Sequence, residues 1–159
     1  MIIKFAQDLA EWVHRDQMYG DKPYTFHLKE VSSICWRMYS GKENEESLQV
    51  ISYLHDSVED CDIDFHTLLY LGFPMRIVES IDAITKRVGE TQSEYLERVA
   101  QDKDATKVKL VDSYSNMIQS EIDGDEDRAK YYKKSIKRLL GKIDDHELIK
   151  RWGEKISEV

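Results

Sequence analysis

Apolar residues recur every three or four positions along most of the chain, which is the spacing of one face of an α-helix. The first such run predicts a helix that ends near His14, with the apolar members Ile2, Phe5, Leu9, Trp12 and Val13. Gly20 and Pro23 break the period and predict a loop over 19–24. No stretch shows the period-two alternation that is typical of a half-buried strand. The pattern therefore predicts an all-α fold of eight or nine helices.

Capping residues and glycines indicate where the later helices begin and end. Thr25 can cap a second helix that ends near Gly41, and a third helix is expected from 44 or 45 to about 60. Trp12 and Trp36 have the helical spacing of core residues and need no ligand. Further helices are expected over 65–72, around 95–99, and over 107–118, 125–140 and 144–157. Another helix is expected to begin after Pro74 and to bury Met75.

The length of 159 residues is that of one domain. We expect a single domain over 1–159, with the chemistry-bearing core at about 5–120 and outer helices at about 125–157. Cys35 and Cys61 both lie in apolar stretches, which favours buried free thiols over a disulfide framework.

The charge balance narrows the classes of partner. The 31 acidic and 23 basic residues give a net charge of −8, which disfavours binding to the nucleic-acid backbone. A small anionic substrate stays possible because a local metal or basic pocket can override the global sign. The apolar runs are far shorter than the ~18 residues of a membrane helix, and the N-terminus does not resemble a secretion signal. We expect a cytoplasmic protein without nucleic-acid or membrane partners, and the oligomeric state stays open.

The segment around His55 is the most informative for chemistry. On a helix, His55 and Glu59 are i,i+4 neighbours, and so are Asp56 and Asp60. One helical turn then presents an imidazole and three carboxylates beside a run of apolar residues. Such a cluster makes little sense for stability alone, because burial of polar groups is costly. A solvated helix end with a coincidental histidine is the other interpretation.

Two further positions could join this cluster. Asp112 comes directly after an apolar helical stretch, and Asn116 lies one turn later on the same face. A Pro-Tyr-Thr-Phe-His run delivers His27 to the start of a helix. Taken alone, each has a commoner explanation: a core-edge or capping aspartate, and a surface or capping histidine. His66 and His146 have no partners and are expected on the surface.

Together, the order His, His-Asp, Asp resembles the HD superfamily of metal-dependent phosphohydrolases. The match is closer to one branch, the (p)ppGpp hydrolase domain of RelA/SpoT-type enzymes and the small alarmone hydrolases. The motif L-H-D-x-V-E-D fits at every defined position and is the most specific element. The matching residues are Ala10, His14, Gln17, Pro23, Tyr24 and His27, then Leu54–Asp60, more loosely Leu71–Pro74 and Thr85–Lys86, and finally Val108–Asp112 with Asn116. The resemblance implies a single HD-type helical domain.

The resemblance also implies a metal site. The ligands of the family map to His27, His55, Asp56 and Asp112. Two imidazoles and two carboxylates suit a borderline-to-hard divalent ion. The family suggests Mn²⁺, and another divalent ion is possible.

The same comparison implies the reaction and its participants. Glu59 and Asp60 map to the catalytic pair beside the metal, which activates and holds the attacking water. Asn116, Tyr19 and Lys109 are expected to contact the substrate. The implied activity is that of a guanosine-3′,5′-bis(diphosphate) 3′-pyrophosphohydrolase, which hydrolyses ppGpp and releases pyrophosphate.

Several positions depart from the family pattern. Tyr19 stands where the family has a base-stacking arginine, Ser113 where a basic residue follows the last ligand, and Leu28 where proline is usual. His14 matches a family position but is expected only to pack. Two alternatives therefore stay open: the same chemistry on another nucleotide, such as a nucleoside monophosphate, and a non-catalytic nucleotide-binding protein of the same fold.

Overall fold

The computed structural model describes residues 1–157 of the chain. Within this range the chain forms nine helices and one additional helical turn, α4. The helices are α1 Ile2–Val13, α2 Thr25–Tyr39, α3 Glu45–Leu54, α4 Ser57–Asp60, α5 Phe65–Tyr70, α6 Met75–Ile84, α7 Gln92–Ala100, α8 Lys103–Ile122, α9 Glu126–Leu140 and α10 His146–Ser157. The predicted all-α fold is confirmed. No helix within these residues is long and apolar enough to cross a membrane.

Helix α8 is the centre of the bundle. It spans 20 residues and packs against α2, α3, α6, α7 and α9. Val108, Leu110 and Val111 are fully buried, so α8 is enclosed on more than one side. Asp112 and Asn116 lie on this helix and are therefore held inside the protein, with 4% and 8% exposure.

Helix α1 departs from the pattern expected of it. Its buried residues are Ala6 and Ala10, and Trp12 is 64% exposed. The two alanines lie one turn apart on the side that meets α3, where small side chains allow a close approach between helices. Trp36 of α2 is likewise 55% exposed, so the expectation that both tryptophans pack in the core is wrong.

Some element boundaries also differ from the prediction. Helix α3 ends at Leu54, and a turn at 55–56 separates it from α4. Helix α8 begins four residues earlier than expected, because the Asp102 carboxylate accepts the backbone N–H groups of Asp104 and Ala105 and caps the helix there. Met75, expected to be buried, is 58% exposed at the start of α6.

The loop predicted over 19–24 contains a small hairpin. Strand β1 (Met18–Tyr19) pairs antiparallel with strand β2 (Lys22–Pro23). Gly20 has a φ of +63°, a backbone conformation that glycine adopts without a steric penalty. The hairpin holds Tyr19 next to the first turn of α2, where its ring meets that of His27.

Candidate metal centre

Four donor atoms from three parts of the chain meet between α2, α8 and the turn after α3. Nε2 of His27 lies 3.1 Å from Oδ1 of Asp112 and 4.0 Å from Oδ2 of Asp56. Nε2 of His55 lies 3.0 Å from Oδ2 of Asp56 and 3.6 Å from Oδ1 of Asp112. The structure therefore brings together all four residues that were predicted to be metal ligands.

These four donors have the spacing expected around a single ion. Ligand atoms that share one small divalent ion at ~2.1 Å, at right angles to each other, lie ~3 Å apart. The donor atoms of His27, His55 and Asp56 all lie within 4.8 Å of one another. Oδ1 of Asp112 completes the group because it faces both imidazole nitrogens.

His55 supplies the observation that a cation fits this site. Its Nδ1 lies 2.9 Å from the carbonyl oxygen of Ser52, so Nδ1 donates to that carbonyl and Nε2 is the nitrogen that faces the two carboxylates. That Nε2 is buried and has no hydrogen-bond partner. A buried nitrogen without a partner costs free energy unless it coordinates something. The donor set and the unpartnered Nε2 both fit a divalent cation, which would take the place of a proton on this nitrogen.

The two carboxylates are positioned by hydrogen bonds outside the centre. Tyr24 donates its hydroxyl to Oδ2 of Asp56 at 2.5 Å. Lys109 donates to Oδ2 of Asp112 at 2.7 Å, and the Asn116 amide donates to Oδ1 at 2.7 Å. Hydrogen bonds of this kind orient metal ligands and fix their basicity. Lys109 and Asn116, both expected to contact the substrate, therefore also hold the carboxylate of the proposed ligand Asp112 in place.

The electrostatics of the centre favour a positive charge. Burial lowers the pKa of His55, but the facing Asp56 and Asp112 carboxylates outweigh it and raise that pKa to about 10. Burial opposes ionisation of Asp112, yet the Lys109 ammonium holds the pKa of this carboxyl well below its usual range. Both carboxylates are therefore anionic at neutral pH and attract a cation.

Tyr19 covers one side of the centre. Its ring stacks on His27 with the centroids 4.8 Å apart and the planes 17° from parallel. Its hydroxyl donates to Oδ1 of Asn116 at 2.8 Å. Nδ1 of His27 is buried without a hydrogen-bond partner, so ring contacts rather than a second hydrogen bond hold this imidazole. Burial raises the pKa of Tyr19 to about 12, which keeps the phenol neutral.

Glu59 and Asp60 lie at the solvent-exposed rim of the centre. Oε2 of Glu59 accepts the backbone N–H of Lys86 at 2.7 Å, and Oδ2 of Asp60 accepts the Gln17 amide at 2.9 Å. Burial raises the pKa of Glu59, while the Lys86 hydrogen bond opposes that rise. Both carboxylates are thus held in fixed positions by groups far away in sequence.

A cavity of about 360 Å³ opens over these residues. It is lined by eight of the nine predicted site residues, namely Tyr19, His27, Asp56, Glu59, Asp60, Lys109, Asp112 and Asn116. The ninth, His55, is buried at 1% exposure next to Asp56. His66 and His146 are exposed, in agreement with the prediction.

Sequence reasoning missed the contribution of α9 to this cavity. Arg128 and Tyr132 of α9 line it together with the metal centre, although α9 was expected to be an outer helix. The Arg128 guanidinium lies 5.9 Å from the Tyr132 ring. An arginine and a tyrosine four residues apart on a charged helix resemble any exposed pair, so the sequence carries no signal for them.

Comparison with known proteins supports the fold. The chain matches no family model and no curated protein by sequence. It is similar in structure to a metazoan ortholog of SpoT that hydrolyzes ppGpp and plays a role in starvation responses, with a TM-score of 0.74 and 20% identity. The likeness covers 99% of this chain and 97% of that chain. It confirms the helical fold expected from the HD-type motifs.

Proposed function

We propose that the protein is a metal-dependent phosphohydrolase that hydrolyses the 3′-pyrophosphate ester of ppGpp. The observation that carries this proposal is the buried, unpartnered Nε2 of His55, which faces the donor atoms of Asp56 and Asp112. The order of these ligands along the chain is that of the HD-type phosphohydrolases. The structurally similar SpoT ortholog hydrolyzes ppGpp, which supports this choice of substrate.

The residues of the centre suit Mn²⁺. His27 and His55 would supply imidazole nitrogens, and Asp56 and Asp112 would supply carboxylate oxygens, a mixed set that borderline-to-hard ions accept. Such an ion lowers the pKa of water and polarises a phosphoryl oxygen. Four protein ligands leave room for substrate at an ion that prefers six.

Glu59 and Asp60 would handle the attacking water. Glu59 is fixed by the Lys86 N–H, and partial desolvation at the rim raises its pKa, which makes it a better proton acceptor than a fully solvated glutamate. Asp60 is fixed by Gln17 and can accept a second hydrogen from the same water. In the overall reaction water adds to the 3′-pyrophosphoryl group, and ppGpp yields GDP and pyrophosphate.

Arg128 is the residue best placed to bind phosphate. It lines the same cavity as the metal centre, and its planar guanidinium suits phosphate oxygens. Lys109 also lines the cavity, but its ammonium is already bonded to Asp112. Arg128 is therefore expected to take over part of the role of the basic residues that the sequence lacks around Tyr19.

A nucleoside monophosphate is the second candidate substrate. The cavity lining holds four carboxylates, from Asp56, Glu59, Asp60 and Asp112, against two cations, from Lys109 and Arg128. A divalent ion would balance this difference of two charges, but little positive charge would remain for a ligand with four phosphates. The charge of the cavity lining therefore supports a substrate with fewer phosphates than ppGpp, although the motifs resemble those of ppGpp hydrolases.

A hydrolysis assay distinguishes these possibilities. Purified protein is incubated with Mn²⁺ and either ppGpp or nucleoside monophosphates, and the release of pyrophosphate or inorganic phosphate is measured. Asp112→Asn serves as the inactive control and His66→Ala as the surface control. Pyrophosphate and GDP from ppGpp support the proposal, and inorganic phosphate from a monophosphate supports the second candidate. Saturable nucleotide binding without any product would show a non-catalytic binding protein.

A further inference from the structure

The end of α1 is linked to the rim of the metal centre by a chain of hydrogen bonds. His14 is buried at 1% exposure although it directly follows α1. Its Nδ1 lies 2.6 Å from Oε1 of Gln17, and its Nε2 lies 3.3 Å from the hydroxyl of Ser57. Gln17 in turn donates from Nε2 to Oδ2 of Asp60 at 2.9 Å. The chain thus ends on a carboxylate of the proposed catalytic pair.

The direction of each hydrogen bond follows from the chemistry of the groups. A carboxylate only accepts, so the Gln17 amide must present its NH₂ to Asp60 and its oxygen to His14. That oxygen accepts, so Nδ1 of His14 must carry the proton. In a neutral ring Nε2 of His14 is then an acceptor and takes the Ser57 hydroxyl hydrogen. In the neutral ring each group of the network has one role, and Nδ1 is the protonated nitrogen.

The surroundings of His14 maintain this neutral state. Burial lowers the pKa of His14, and the hydrogen bond to Gln17 opposes this only in part. The imidazole also stacks on the Tyr24 ring, with centroids 4.8 Å apart. The Cys61 sulfur lies 3.2 Å from Nδ1 and 3.7 Å from Nε2, and because sulfur is a weak acceptor, its position nearer to Nδ1 is compatible with a proton on that nitrogen.

We propose that Gln17 and His14 are positioning residues for Asp60. This inference rests on the proposed hydrolytic function. Asp60 is exposed and is the last residue of its helical turn, so its side chain would otherwise sample several rotamers. The Gln17 amide holds one carboxylate oxygen and leaves the other lone pairs for the attacking water. His14 prevents the amide from turning over, because only its Nδ1–H matches the Gln17 oxygen.

Kinetics of matched variants test the proposal. Gln17→Met retains the length of the side chain and removes the amide, and it should lower kcat by about 10- to 100-fold through misplacement of Asp60. KM and Mn²⁺ affinity should change less than about twofold, since neither the ligands nor the phosphate contacts change. Gln7→Met is the control, because the Gln7 amide donates to Glu11 on the same helix without contact to the site.

The same substitution in an Asp60→Ala variant distinguishes a positioning role of Gln17 from general damage to the fold. In Asp60→Ala protein, Gln17→Met should cause no further loss of kcat, because residues that act through one another are not additive. An equal loss in both backgrounds would show that Gln17 acts independently of Asp60 and would overturn the proposal.

The tautomer of His14 provides a readout that does not need activity. Long-range ¹H–¹⁵N NMR of the metal-free protein, assigned with His14→Asn, should show a neutral ring protonated at Nδ1. A ring protonated at Nε2, or a charged ring at pH 7, would overturn the proposal even if the enzyme is active. If the expected tautomer is found and no nucleotide is hydrolysed, the proposed function fails while the hydrogen-bond chain stands. If hydrolysis is normal in Gln17→Met, the positioning role fails while the function stands.

Discussion

The ring of Tyr19 lies flat on the imidazole of His27, and its hydroxyl donates to Asn116. One side chain from the hairpin therefore contacts a proposed ligand on α2 and the partner of a ligand on α8. The two contacts use different parts of Tyr19, the ring face and the hydroxyl, so substitutions can separate them.

Tyr19→Phe should retain the stack and lose the bond to Asn116. We expect kcat/KM to fall by no more than about tenfold, the value of one neutral hydrogen bond. Tyr19→Ala should cause a larger loss, because it also uncovers His27. Tyr19→Arg should raise kcat/KM for ppGpp relative to a nucleoside monophosphate by about tenfold, since a charge-assisted bond favours the more highly charged ligand. Equal kcat/KM values in all variants would place Tyr19 outside substrate recognition.

Removal of a ligand should weaken metal binding strongly. Asp112→Asn or His55→Ala should weaken Mn²⁺ affinity at least about 100-fold, since even partners outside the ligand set affect affinity by 10- to 100-fold. Wild-type protein should gain thermal stability as Mn²⁺ is added, because the ion binds the folded state. His66→Ala should retain this gain, because His66 is exposed and does not line the cavity over the metal centre. A variant with unchanged metal content would remove that residue from the ligand set.

Glu59→Gln should separate chemistry from binding. The amide retains the size of the side chain but cannot accept a proton, so kcat should fall by about 10²- to 10⁴-fold. KM and metal content should stay near the wild-type values, because Glu59 bonds to the Lys86 backbone and to none of the four ligands. A change in KM alone would make Glu59 a recognition residue.

Arg128→Met should weaken binding of highly phosphorylated nucleotides. A charge-assisted hydrogen bond is worth about 1.5–3 kcal/mol, so KM for ppGpp should rise by about 10- to 100-fold. KM for a nucleoside monophosphate should rise less. Arg138→Met is the matched control, because Arg138 is exposed on the same helix outside the cavity lining. Equal effects of both variants would exclude a specific contact at Arg128.

Arg98 should be important for stability. Its guanidinium, only 19% exposed, donates to Glu90 at 2.7 and 2.9 Å and to the backbone carbonyls of Asp82, Ala83 and Thr85. Arg98→Met leaves these acceptors unpaired and should lower the free energy of unfolding by about 1–3 kcal/mol. Denaturant unfolding measures this loss, and Arg87→Met, at a side chain that is 57% exposed, is the control.

The ion pair between Arg98 and Glu90 predicts that the free energy of unfolding depends on pH. The hydrogen bond from Arg98 lowers the pKa of Glu90 to about 2 in the folded protein, from 4.5. The stabilisation is therefore fully present above pH 4.5 and is lost as the pH falls through about 2. Arg98→Met should remove this part of the acid dependence, and unfolding curves at several pH values will show whether it does.

The sequence by itself determined the helices and the local chemistry of the site. The order of the proposed ligands can be read directly from the sequence. The pairing of Asp112 with Asn116 follows from helical spacing, because residues four apart lie on the same face of a helix. The resemblance to the HD-type phosphohydrolases also singled out nine site residues, and the structure brings them together in one region. Their roles in catalysis stay predictions.

Only the tertiary structure decided which distant side chains meet. Arg128 reaches the cavity because α9 packs along α8, and Gln17 reaches Asp60 across 43 residues of chain. The exposure of Trp12 depends on two small alanines that define the buried face of α1. Contacts between helices depend on the angle and register of their packing, which the spacing of residues within one helix does not encode.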